Sequence, residues 1–217
     1  MQECLSHLRS KFQISVGQPD TFVGIRIRRD ERLKELYVSQ QSYIRRVIEK
    51  FRVERGREAA TPMEPNIKLS QIGVLDVESK LVEVPYRELF GSLLYAATGT
   101  RIDIAYGVNL LARFCENPRL VHWTAFASTV ALMRVLLYLR NRESFELVTE
   151  RKGSITLECF CDADHGGCYD TRRSTTGFVI IANDMPVVWK PQRQKVVTTS
   201  TCAANKVTSA RSYTTFG

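Results

Sequence analysis

Three carboxylates and a pair of cations stand close together in Cys161-Asp162-Ala163-Asp164 and Asp170-Thr171-Arg172-Arg173-Ser174-Thr175-Thr176-Gly177-Phe178. A carboxylate at a strand end can hold a hard divalent cation, which takes oxygen ligands, and neighbouring arginines can neutralise phosphates. Ile155, Leu157, Cys159 and Cys161 alternate with Thr156, Glu158, Phe160 and Asp162. That period of two predicts a strand with a mostly apolar face and with Asp162 at its end. Lys190, Arg193 and Lys195 add cations downstream; Arg45 and Arg46, with Arg26, Arg28 and Arg29, add them upstream. All are candidate contacts to a nucleic-acid backbone, of the kind that sets affinity without reading bases.

Cys159, Cys161, His165 and Cys168 fall close enough in sequence to raise a second chemistry, a zinc site. Zinc ligand pairs are usually spaced around a turn, whereas Cys159 and Cys161 fit the apolar face of a strand, where a buried thiol is ordinary. Packing is the preferred reading. The two tryptophans, Trp123 and Trp189, are read as core or hairpin packing rather than base-stacking platforms.

The 217 residues are 44% hydrophobic and 25% charged, enough for one or two packed domains. A formal net charge of +8 favours an anionic partner, with nucleic acid the first candidate. No apolar run is long enough to span a membrane, and the N-terminal residues lack a secretory layout. The six cysteines are therefore expected as free thiols in a reducing, intracellular compartment, cytoplasmic or nuclear.

Leu5 to Phe12 could finish a helix. Phe22 to Arg29 reads as one strand, Leu36 to Val38 as its hairpin partner across the charged turn Asp30-Glu31-Arg32. Ser39 offers an N-cap to an amphipathic helix whose stripe is Tyr43, Ile44, Val47, Ile48 and Phe51. Pro85 suits the first turn of a helix carrying Tyr86, Leu89, Phe90, Leu93 and Leu94, and two more helices are predicted over 102–114 and 120–139. Phe145 to Thr149 is a short lead-in strand to a final sheet of 155–162, 176–181 and 187–190, followed by a helix over 201–212.

The run from Cys161 through Val187-Val188-Trp189-Lys190 to Thr201 resembles the opening of the ribonuclease H domain in copia-type retrotransposon Pol polyproteins. Phe22-Val23-Gly24-Ile25-Arg26-Ile27-Arg28-Arg29, Ser39-Gln40-Gln41-Ser42-Tyr43-Ile44 and Thr61-Pro62-Met63 are similar to the end of that family's reverse transcriptase. Tyr86-Arg87, Gly91-Ser92-Leu93 and Arg101-Ile102-Asp103-Ile104-Ala105 resemble its connecting helices, with Ile102 where the family usually has proline. The resemblance implies an α+β fold: a reverse transcriptase thumb/connection-like helical lobe followed by a truncated ribonuclease H-like α/β sheet. The implied parts are 1–68 from reverse transcriptase, a linker at 69–84, connection helices at 85–142 and ribonuclease H at 143–217.

Ribonuclease H chemistry uses two divalent metals about 4 Å apart, normally Mg²⁺ held by carboxylates. The resemblance makes Asp162 the first ligand and Asp164 not one. Cys202 stands where a Glu is expected and Ala204 where the next is, and a thiol cannot replace a carboxylate toward Mg²⁺. The other family carboxylates would lie beyond Gly217, and the polymerase aspartate pair before residue 1. The expectation is a vestigial site at Asp162, binding to an RNA/DNA hybrid without hydrolysis, and a partner in the remainder of a Pol polyprotein. The alternative is a non-catalytic binder of nucleic acid or Pol derived from a retroelement. The strand of Asp162 is expected to have an unpaired side and the C-terminal lobe to be marginal.

Overall fold

The computed structural model describes residues 2–13, 20–52, 59–64, 85–116 and 131–205. Its helices are α1 (Gln2–Lys11), α2 (Gln41–Lys50), α3 (Tyr86–Gly99), α4 (Ile102–Leu111) with a 3-10 turn at Ala112–Phe114, and α5 (Ala131–Asn141). The strands are β1 (Thr21–Phe22), β2 (Ile25–Asp30), β3 (Glu35–Ser39), β4 (Leu147–Glu150), β5 (Leu157–Ala163), β6 (Thr175–Ala182) and β7 (Met185–Arg193). They form two antiparallel sheets, β1-β2-β3-β4 and β5-β6-β7, so the fold is mixed α+β. The expected linker at 69–84, the start of the 120–139 helix with Trp123, and the 206–212 part of the last helix lie outside the described residues. No helix among the described residues is long and apolar enough to cross a membrane.

The core lies in the helices. The predicted stripe of α2 buries Ile44 and Val47, with Tyr43, Ile48 and Phe51 packed against the same cluster. Leu89 and Leu93 of α3, Ile104, Val108 and Leu111 of α4, and Leu132, Leu136 and Leu139 of α5 complete it. The N-cap position of α2 is Gln40, one residue after the predicted Ser39. Ser39 Oγ accepts from the Gln41 N–H, while the buried Gln40 side chain reaches to α3, accepting from Thr100 Oγ1 at 2.9 Å. A Cβ on Gly99 would stand 2.5 Å from Gln40 Oε1, so only glycine admits that approach.

Arg101 is fully buried in front of α4. Its Nε and Nη2 donate to the two Asp103 carboxylate oxygens at 3.0 and 2.7 Å, and Nη1 donates to the Arg142 carbonyl at 2.9 Å. Its guanidinium also lies 5.2 Å from the Phe145 ring centre. One arginine thus ties the start of α4 to the end of α5, with each charge-assisted bond satisfied. Ile102 is the first helical residue of α4, the position at which a proline is tolerated because its missing N–H has no partner to lose.

Three sequence readings are corrected. Phe22 to Arg29 is two strands, because Val23 (φ 48) and Gly24 (φ 77) form a tight turn between β1 and β2. The predicted lead-in strand forms as β4, but it pairs with β3 in the first sheet instead of leading the second. Cys159 and Cys161 are exposed, as are Leu157 (69%) and Phe160 (55%), so β5 is uncovered on both faces up to Ala163. A period of two fixes which residues share a face, and says nothing about whether another layer covers it.

Two other turns have plain local causes. Asp30 Oδ1 accepts from the N–H groups of Arg32 and Leu33, closing the β2–β3 hairpin as an Asx turn. Asn183 (φ 47) and Asp184 (φ 66) form the two-residue β6–β7 loop that matches strand twist. Pro186 and Pro191 confine β7 to an edge, since neither can donate to a further strand.

Candidate carboxylate site and nucleic-acid interface

Asp162 lies one residue from the end of β5, opposite Gly177 of β6, which in turn faces Pro191 of β7. It is exposed and has no hydrogen-bond or ion-pair partner among the described residues. Asp164 has a different task. Its Oδ1 accepts from the Thr175 N–H at 2.6 Å and the Gly167 N–H at 3.4 Å, pinning the loop between β5 and β6. Asp162 lines a groove together with Tyr106 of α4, and burial, and next the charge of Asp164, push the Tyr106 phenol upward.

The short helix at 201–205 packs on the other side. Gln194 Nε2 donates both to Thr176 Oγ1 and to the Ala204 carbonyl, and the Ala163 N–H donates to Asn205 Oδ1. Thr176 and Ala163 alternate with Gly177 and Asp162 along their strands, so their side chains face away from Asp162. Cys202 is exposed and Ala204 fully buried. The Ala204 contacts thus lie on the face of the sheet opposite the Asp162 side chain. No group of three or more His, Cys, Asp or Glu gathers among the described residues, and a lone carboxylate does not fit a pair of Mg²⁺ ions.

The candidate zinc residues also separate. Cys159 and Cys161 lie exposed on β5, while the buried Cys168 receives a hydrogen bond from Arg193 Nη1 at 3.7 Å. Burial works to raise the Cys168 thiol. Hydrogen bonds from the Thr171 side chain and backbone and from Arg193, with the charge of Arg113, outweigh it and hold the thiol below its usual value. This setting was invisible in the sequence, where Arg113 stands far upstream.

The basic residues divide by what they already hold. Arg193 is committed to Cys168, and Arg45 Nη2 to Glu143 at 2.8 Å. Arg28 pairs with Glu146 and lies over the Tyr37 ring at 3.6 Å. The Arg173 carbonyl accepts from the Cys168 N–H, and Arg172 occupies the turn with φ 56. Arg172, Lys190 and Lys195 are exposed, with no ion-pair partner among the described residues.

Arg46 and Arg26 have no carboxylate partner among the described residues either, and both line a cleft of about 340 Å³ at the start of α2. Its other walls are Thr21, Gly24, Ser39, Gln41 and Ser42, so hydroxyls and amides surround the two guanidinium groups. A larger cleft of about 730 Å³ between the β2–β3 turn and the loop after β4 is lined by equal numbers of cations and carboxylates. Its charge cancels, whereas the Arg26–Arg46 cleft has two cations and no carboxylate on its lining.

The chain is 34% identical over 195 residues to the retrovirus-related Pol polyprotein from transposon TNT 1-94 of Nicotiana tabacum, matching 88% of this chain and 14% of that protein. It is 30% identical over 206 residues to the corresponding polyprotein from transposon RE1 of Arabidopsis thaliana, matching 94% of this chain and 13% of that one. A putative transposon Ty5-1 protein of Saccharomyces cerevisiae is 29% identical over 185 residues, 84% of this chain and 56% of its own length. The chain belongs to the retrovirus-related Pol polyproteins of copia-type transposons. It spans about one seventh of the length of the first two relatives. No protein-family model matches it. No solved structure matches it either.

Proposed function

We propose that this chain is the nucleic-acid-binding part of a transposon Pol polyprotein that joins the end of a reverse transcriptase to the front of a ribonuclease H. In this reading the first sheet and the helices form the thumb- and connection-like lobe, and β5-β6-β7 is the start of the ribonuclease H sheet. The lobe holds an RNA/DNA hybrid by its phosphates, and Asp162 is a vestigial ligand because Cys202 and Ala204 stand where the resemblance expects carboxylates, so hydrolysis is lost. The observation that carries the reading is the Arg26–Arg46 cleft, two uncommitted guanidiniums among hydroxyl and amide donors. Replacing both by alanine should weaken hybrid binding at every sequence alike and flatten its dependence on salt.

Incubation of the hybrid with Mg²⁺ tests the catalytic part. Intact hybrid is expected; scission that disappears in Asp162→Asn would show a working site. A second reading, docking onto the remainder of a Pol polyprotein, is favoured by β5, whose outer edge has no strand partner among the described residues. Capture of downstream Pol segments by the chain, with no affinity for hybrid, would select it.

A further inference from the structure

A groove of about 480 Å³ runs between α4 and the β5-β6-β7 sheet. Ala105 and Tyr106 form one wall, Phe160 and Val179 the other, with Trp189 beside them and Asp162 also on the lining. The volume is that of a small-molecule site of one or two rings. The aromatic surface is preorganised, because Trp189 Nε1 donates to the Ala97 carbonyl at 2.7 Å and so fixes the indole against α3. Asp162 has no partner among the described residues; Lys190, also on the lining, pairs with Phe178 while Asp162 pairs with Gly177, so the two alternate to opposite faces of the sheet, and Arg113 Nη2 is held by Thr175 Oγ1 and Arg193 by Cys168. An aromatic slot with one free carboxylate calls for a flat ring that presents hydrogen-bond donors.

An organic cation would satisfy the carboxylate, but a chain of net charge +8 repels it, whereas a base attached to phosphate is attracted. An ionised carboxylate is acceptor-only and offers two oxygens side by side. Guanine is the base whose N1–H and N2–H donors match them; adenine presents a lone pair at N1 and is repelled. We infer that the groove between α4 and the sheet holds one unstacked guanine of the bound nucleic acid, its ring against Tyr106 and Phe160 and its donors on Asp162. This rests on the nucleic-acid-binding reading and adds a base preference that phosphate contacts cannot supply.

The test is a titration of the whole chain in EDTA with guanosine and adenosine monophosphates, read by Trp189 fluorescence in a Trp123→Phe background that removes the other tryptophan. The guanine nucleotide should bind about tenfold tighter, as expected for a charge-assisted bidentate pair. In Asp162→Ala, whose exposed side chain supports no packing, the two nucleotides should bind within about twofold of each other. Equal binding to the unmutated groove, a preference that survives Asp162→Ala, or benzylammonium binding as tightly as the guanine nucleotide would each overturn the inference. Hybrid retention is measured on the same protein. If hybrid is retained and guanine is not preferred, the groove assignment alone fails; if hybrid is not retained, the underlying reading fails.

Discussion

The helical lobe and the β5-β6-β7 sheet are built on opposite terms. In the lobe, Leu89, Leu93, Ile104, Val108 and Leu111 are buried from several directions, and Arg101, the one buried charge among the described residues, has a satisfied partner for each of the donors described above. In the sheet, Leu157 and Phe160 remain largely exposed, and the polar Ser174, Thr175, Thr176 and Gln194 are buried alongside the small or lone apolar Ala163, Cys168, Ile180 and Ala204. Among them Gln194 Oε1 has no hydrogen-bond partner among the described residues. The lobe therefore carries stability, and the sheet carries an uncovered surface whose cohesion comes from hydrogen bonds in the β5–β6 loop and at the 201–205 turn.

The contrast can be broken from the lobe side first. Arg101→Ala leaves Asp103 with no cation and frees the Arg142 carbonyl, and should cost about 3–5 kcal/mol in denaturant unfolding. A loss below about 1 kcal/mol would show that the buried clamp is not holding α4 to α5. Leu93→Ala should cost about 2–5 kcal/mol, whereas Phe160→Ala on β5 should cost about 1 kcal/mol or less. Equal losses would mean that β5 is covered in solution. Hydrogen exchange gives the same comparison residue by residue: amides of α3 and α4 should open only near global unfolding, and those on the outer edge of β5 far more readily.

A smaller effect should come from Cys168, because its folded-state thiol lies below the ordinary value. The unfolded chain then holds the proton more tightly, so this contribution is fully present above the unfolded thiol value and is lost as pH falls through the lower folded one. Stability should rise with pH on the alkaline side more steeply in the unmutated protein than in Cys168→Ser. Parallel pH profiles would show that Arg113, Arg193 and Thr171 do not stabilise a thiolate.

Much of the lobe was legible because its signals are local. The stripe Tyr43-Ile44-Val47-Ile48-Phe51 and the Pro85 start gave α2 and α3, and helical periodicity over 102–114 covered α4 and its 3-10 turn. What was not legible depends on distant pairing. Nothing near Leu147 says that it will join β3 across most of the chain, and the alternation along β5 cannot say that no layer covers it. At the site, the position of Asp162 at a strand end was readable, but the face on which the 201–205 helix packs, through Gln194, Ala204 and Asn205, was not. The uncommitted state of Arg26 and Arg46, against the pairing of Arg45 with Glu143, likewise follows from contacts between elements far apart in sequence.

The most direct test of the central claim is retention of an RNA/DNA hybrid by the purified chain over a range of salt concentrations, compared with the Arg26→Ala, Arg46→Ala double variant. The account predicts binding that falls steeply as salt rises, with a slope shallower by about two in the double variant. Retention that does not respond to salt, or a slope unchanged by removing both arginines, would contradict it.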